Sequence, residues 1–245
     1  VLAFLFLPIL VVVVFSVNAG DSLARFEGVS TRWYAEAFSD QGIAASFGQS
    51  LLIGSLSAVV STVLGTALAI GLHRASPALR AAGNGAVVIR LISPETATAV
   101  ALFLMFGLLD VTLSLTTVLL GHIALSLAFV TVVVRSRLAA IGTDVEDAAM
   151  DLGATPGTAV WLTVMPLLVP SIVVGGMLAF ILSFDNFVTS FFTTGIGTQP
   201  LPLWIYSSLR FGVSPVVNAL GVLMLLISLA TAVVAVLALR ATRKR

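Results

Sequence analysis

Long apolar runs separated by short polar passages set the pattern of this chain. Crossing ~30 Å of hydrocarbon takes about 20 helical residues. Six runs approach or exceed that length: residues 1–17, 47–72, 86–109, 112–134, 162–183 and 216–239. None shows the period-two polar alternation that a membrane β-barrel strand requires, so the runs predict helices and an all-α, polytopic membrane protein with about six transmembrane helices. Between them the pattern predicts a polar loop at 18–46, a basic turn at 73–85 and a tight turn near Asp110. A longer loop at 135–161 and a Gly/Pro/aromatic stretch at 193–215 complete the series. The opening run reads as an uncleaved helix, although Ser16-Val17-Asn18-Ala19 has the small residues of a weak cleavage site, because the chain returns to the membrane after one polar loop.

Composition sharpens this reading. Hydrophobic residues make up 59% of the 245 positions and charged residues only 9%, against roughly 25% charged in soluble domains. The mean hydropathy is +1.14. A net charge of +1 gives no basic face for nucleic acid. There is no cysteine, and the two histidines, His73 and His122, lie far apart in sequence, so no metal site is indicated. The single lysine, Lys244, precedes Arg245 rather than Ser or Thr, so no Walker-type phosphate loop can be drawn. If ATP drives the protein, another subunit binds it. Arg74 and Arg80, Arg135 and Arg137, and Arg240, Arg243, Lys244 and Arg245 all fall on one side of a six-span layout. That side is expected to be cytoplasmic, with both termini. No internal duplication is evident, which gives no support to an inverted-repeat secondary transporter.

Within the 135–161 loop, Thr143-Asp144-Val145-Glu146 reads as a capping box, with Thr143 at N-cap and Glu146 at N3 of a short helix. Asp144, Glu146 and Asp147 suit the positive end of its dipole. Ala148 and Ala149 leave a face of little bulk, Gly153 permits a C-terminal turn, and Pro156 is placed to open a second helix. An ordinary capped helix between spans satisfies the same local chemistry.

Asp147-Ala148-Ala149, Gly153 after three residues, and then Pro166 resemble the Glu-Ala-Ala-x-x-x-Gly and distal Ile-x-Leu-Pro pattern of permease subunits of binding-protein-dependent, type I ABC importers. Asp147 stands where Glu is usual, and Thr163-Val164-Met165 replaces Ile-x-Leu. The stretches 182–192, 201–207 and 210–220 are similar to the second permease of the spermidine/putrescine branch. The resemblance implies the type I importer permease fold, as one permease domain over residues 1–245, in the bacterial inner membrane. It implies partners: a second permease subunit, two ATPase subunits that bind ATP and Mg, and an extracytoplasmic substrate-binding protein. No cofactor is implied for this chain. Glu146, Asp147, Ala148, Ala149 and Gly153 become the contact with the ATPase, in the segment called the coupling helix in such importers.

Charged and polar groups near membrane depth are candidates for the path of a cationic substrate. Asp185 follows about 20 apolar residues, where a carboxylate costs a few kcal/mol unless it meets water or a partner. Asn186 adds amide hydrogen bonding. Phe184, Phe187, Phe191, Phe192 and Tyr206 offer aromatic faces for an alkylammonium or, equally, ordinary packing. Glu95 follows Ser93-Pro94 inside the third run and is expected either to line the path or to pair with Arg90. Arg90 is expected to snorkel to the headgroups. His122 reads as a hydrogen-bonded packing residue. Three other readings remain open: the same architecture with ferric ion, phosphonate or thiamine as cargo, an ion-coupled secondary transporter, and a non-transporting scaffold.

Overall fold

The computed structural model describes residues 2–22, 25–211 and 214–243. Val1, the Gly212 and Val213 pair, and Lys244 and Arg245 of the basic carboxyl end lie outside the described residues. The helices are α1 (Leu2–Ser16), α2 (Arg32–Ser39), α3 (Gln41–Arg74), α4 (Pro77–Ile92), α5 (Glu95–Leu108) and α6 (Leu115–Ile141). They continue with α7 (Asp144–Asp151), α8 (Pro156–Ala159), α9 (Met165–Phe184), α10 (Val188–Thr193), α11 (Leu201–Phe211) and α12 (Val216–Arg243).

Among the described residues, all six apolar runs are largely helical, and four helical stretches are long and apolar enough to span by themselves: Gln41–Arg74, Leu115–Ile141, Pro156–Phe184 and Val216–Arg240. One of the other two departs from expectation. The run at 86–109 is not one straight span, because α4 and α5 meet at a 107° bend. Pro94 has no N–H to continue the ladder, and its ring disfavours helical geometry at Ser93, whose backbone is extended (φ −64°, ψ 130°). The first run is helical as expected, over the 15 residues of α1. Two expected loops also contain helices: α2 in 18–46 and α11 in 193–215. The expected turn at 73–85 shrinks to Ala75 and Ser76, since Ser76 accepts from the Leu79 N–H and Pro77 opens α4. Arg135 and Arg137 belong to the last turns of α6 rather than to the loop.

The centre of the bundle is α3, α6 and α9. Ser61 Oγ donates to the Ile123 carbonyl and Thr131 Oγ1 to the Gly65 carbonyl, so α3 and α6 run parallel. Ser126 reaches the Ala179 carbonyl and Arg137 the Leu167 carbonyl, so α9 returns antiparallel. Small residues let the backbones approach, as in membrane helix packing generally. A Cβ on Gly65 would stand 2.9 Å from Val130 Cβ and 3.1 Å from the Leu127 carbonyl oxygen.

A core of Ala69, Val130, Val134, Leu138, Val164, Leu168 and Ala179 fills the end of the bundle where α3 and α6 finish. At the other end Trp33, Ala37, Ile43, Leu201, Val216, Ala219 and Leu220 join α2, the starts of α3 and α12, and α11. Thus α12 runs in the direction of α3, which places Arg240 at the same end as Arg74, Arg137 and α7. Within the Pro156–Phe184 stretch, a π-helical turn at Val160–Val164 joins α8 to α9. Pro166 offers no N–H to the carbonyl one turn back, and the helix widens just ahead of it.

Candidate functional site: a polar cavity between two broken helices

The bend at Ser93 and Pro94 and the break at 185–187 between α9 and α10 face each other. They border an open cavity of about 500 Å³ lined by Arg90, Ser93, Glu95, Asp185, Asn186 and Phe187, with Leu125 and Phe129 of α6 on its apolar side. Leu125 lies about 15 Å from the start of α6 and Phe129 about 18 Å from its end, so the cavity sits near the middle of that helix. Non-helical backbone at such depth is tolerated where it is buried in protein or lines a wet cavity.

Glu95 is the first residue of α5, where the positive end of the helix favours its carboxylate. Its Oε1 accepts from Asn186 Nδ2 and, at 3.2 Å, from Thr189 Oγ1. Asn186 Oδ1 in turn accepts from the Thr189 N–H at 2.8 Å, which caps the start of α10. Two residues 91 positions apart in sequence are therefore direct partners. Arg90 does not take Glu95 as a hydrogen-bond partner and does not snorkel outward. It is half-buried beside the cavity, with Nε donating to the Ala124 carbonyl at 3.2 Å. The 107° bend carries α5 away from the line of α4, so the i to i+5 spacing of a straight helix no longer governs the pair.

Asp185 follows the last residue of α9 and is exposed on the isolated chain. Its Oδ2 accepts from Ser228 Oγ at 2.8 Å, which ties the break to α12. His122 is 1% exposed and spans the same break from behind. Its Nδ1 lies 2.7 Å from Ser183 Oγ on α9, and its Nε2 lies 3.0 Å from Ser190 Oγ on α10. Ser190 Oγ also donates to the Asn186 carbonyl. The sequence pointed to a hydrogen-bonded packing histidine, and the structure adds what it packs: the two sides of the break.

The aromatic residues divide. Phe184 does not line the cavity; it is 1% exposed, stacked on Phe180 and edge-on to Phe47. Phe187 does line it, and passes the aromatic surface on to Tyr206 (centroids 4.8 Å apart) and Phe191 (5.5 Å). Arg210 covers Tyr206, with its guanidinium 4.9 Å from the ring and Nη2 donating to the phenol oxygen at 2.9 Å.

At the arginine-rich end, the expected capping box does not form. Thr143 has helical angles (φ −94°, ψ −18°) instead of the extended ones of a cap and makes no side-chain cap bond, and the Glu146 side chain, instead of reaching back, forms an ion pair with Arg74. Gly153 does close α7, at φ +92°, with its N–H on the Met150 carbonyl and the Ala154 N–H on the Ala149 carbonyl. Pro156 opens α8 as expected, under the Thr155 side chain, which accepts from the Thr158 N–H. Asp147, Ala148 and Gly153 are exposed, whereas Glu146 and Ala149 are half-buried. The exposed stripe of α7 comprises Asp144, Asp147, Ala148 and Asp151, with Leu152 just beyond it and 92% exposed. Leu152 had not been singled out, although its place four residues after Ala148 was a readable signal.

No protein-family model matches the chain. Its fold is that of an ABC-transporter membrane subunit: a bacterial ABC transporter involved in the import of the acidic polysaccharide alginate has a chain similar at TM-score 0.72, with 14% identity, over 99% of this chain and 91% of that one. In sequence the chain is 36% identical over 230 residues to the putrescine transport system permease protein PotI of Escherichia coli K12, covering 91% of this chain and 82% of that protein. It is 34% identical over 240 residues to the spermidine/putrescine transport system permease protein PotC of Haemophilus influenzae, covering 98% and 93%. The chain belongs to the family of transport-system permease proteins that includes PotI and PotC.

Proposed function

We propose that this chain is one membrane half of an ABC importer that carries polyamines inward across the bacterial inner membrane. The observation that carries the reading is the mid-depth cavity with Asp185 and Glu95 on its wall. Two carboxylates against one guanidinium make a site of net negative charge, suited to an alkylammonium cargo, and the named substrates of PotI and PotC are polyamines. Asp185 and Glu95 meet the ammonium groups, Asn186 holds Glu95 in place, and Phe187 and Tyr206 offer the aromatic approach.

Asp185 stands exposed on this chain at a depth where lipid contact with a carboxylate is costly. A second permease subunit covers it, and the path runs between the two. The arginine-rich end faces the cytoplasm, with both termini. There two ATPase subunits supply the nucleotide chemistry that this chain has no motif for, and α7 docks through Asp147, Ala148 and Leu152. A binding protein delivers cargo to the opposite end. Closure of the ATPases moves α7, and alternating access carries the cation past Asp185, whose hold must be weak enough to release it.

The reading is tested by reconstituting the chain with a second permease, ATPases and a binding protein, and measuring ATP-dependent uptake of labelled putrescine and spermidine against ferric ion, phosphonate and thiamine. Uptake of the polyamines alone is expected; polyamine transport without the ATPases, or none at all, refutes it. In the same assay Gly153→Val, which forces a branched residue to φ +92°, is expected to lower ATPase co-purification at least threefold.

A further inference from the structure

Arg74, the last residue of α3, holds the 144–159 segment at two points. Its Nη2 donates to the Glu146 side chain on α7 and, at 3.0 Å, to the Pro156 carbonyl at the start of α8. One guanidinium thereby grips both helices of the segment. The Glu146 side chain, only 16% exposed, points to α3 and away from the stripe that bears Asp147 and Ala148.

The residue that grips is itself well anchored. Arg80 donates through Nη2 to the His73 and Ala75 carbonyls at 2.7 and 3.1 Å, fixing the backbone on either side of Arg74. From there α3 packs along α6 and α9 and ends, at the far side, against the 197–201 stretch. There Gln49 bonds Gly197 and Gln199, and Ser50 accepts from the Leu201 N–H.

The geometry points to Arg74 as a positioning residue that passes movement of α7 and α8 to α3, and so to the rest of the bundle. This rests on the reading of α7 as the ATPase-docking helix. Glu146, which sequence had assigned to the ATPase contact, serves the clasp. The pair is only partly open to water, with side-chain exposures of 36% for Arg74 and 16% for Glu146, so a coupling role is told from a folding one by whether co-purification and ATP hydrolysis stay normal when Arg74 is lost.

The test uses the full importer in proteoliposomes and reads polyamine uptake per ATP hydrolysed, together with ATPase co-purification. With Arg74→Ala, uptake per ATP is expected to fall at least fivefold, while co-purification and ATP hydrolysis stay within twofold of wild type. Arg74→Lys keeps the charge and a nitrogen able to donate twice, but on a shorter, strongly hydrated head, and is expected to fall in between. Since these 245 residues hold no cysteine, Arg74→Cys with Glu146→Cys gives a second measurement on one folded protein. Bridging the pair with a short bis-methanethiosulfonate, verified by mass spectrometry of the linked peptides, restores uptake per ATP to within twofold of wild type, and reduction lowers it again. An unchanged ratio in Arg74→Ala, or a bridged pair that stays uncoupled, overturns the role of Arg74 and leaves the importer reading intact. A wild-type chain that captures no ATPase overturns both.

Discussion

Asp185→Asn removes one charge from the cavity and little else. The asparagine oxygen still accepts from Ser228 Oγ, which lies 2.8 Å from the native carboxylate, so the tie to α12 and the shape of the break are kept. On the proposed path, what changes is the hold on a passing ammonium. A hydrogen bond to a charged group contributes roughly 1.5–3 kcal/mol against about 0.5–1.5 for a neutral pair, so the cation crosses mid-depth with about 1–1.5 kcal/mol less stabilisation. Glu95, with one oxygen engaged by Asn186 and Thr189, keeps the loss from being larger. If that crossing limits transport, maximal uptake falls about five- to twelvefold. Half-saturation, set by delivery from the binding protein, stays within about twofold by the same reasoning. The assay is initial-rate uptake of labelled putrescine by reconstituted importer, normalised to the amount of chain present and to co-purified ATPase. Maximal uptake within twofold of wild type, with normal assembly, would refute the reasoning and remove Asp185 from the path.

Two further substitutions test the framework around the cavity. His122→Leu leaves Ser183 without its ring partner and unties α9 from α10; at about 0.6–1.7 kcal/mol for each lost membrane hydrogen bond, thermal unfolding in detergent is expected several degrees lower, and an unchanged midpoint would contradict the bridging role. Gly65→Ala places a methyl 2.9 Å from Val130 and is expected to cost about 1–3 kcal/mol; adding Val130→Ala should recover at least half of the lost midpoint, whereas additive losses would show that the α3–α6 approach is not what limits the site.

Much of the membrane architecture was legible because it depends on composition and length. Apolar runs announce themselves without tertiary information, and so do Asp185 and Glu95 as charges in costly places. Their convergence was not legible. It needs the bend at Pro94, whose position was visible but whose 107° angle depends on what α4 and α5 pack against. Arg90 was misread for the same reason: snorkelling is the right expectation for a straight helix facing lipid, not for one that bends beside a polar cavity. The capping box at Thr143 lost its Glu146 half to a distant competitor, Arg74, and its Thr143 half to that residue's helical backbone angles. Local spacing cannot register a partner 72 residues away. The α11 helix hid in a stretch whose Gly and Pro suggested a loop, although Pro202 as its second residue is where a helix accepts proline.

With 34 residues, α3 measures about 51 Å, some 20 Å more than the hydrocarbon it crosses. Such a rod protrudes from the bilayer and has no proline to bend at. A tilt of about 5° around its centre swings each tip by about 2 Å in opposite directions. A push at one membrane surface therefore reaches the other as a displacement of comparable size.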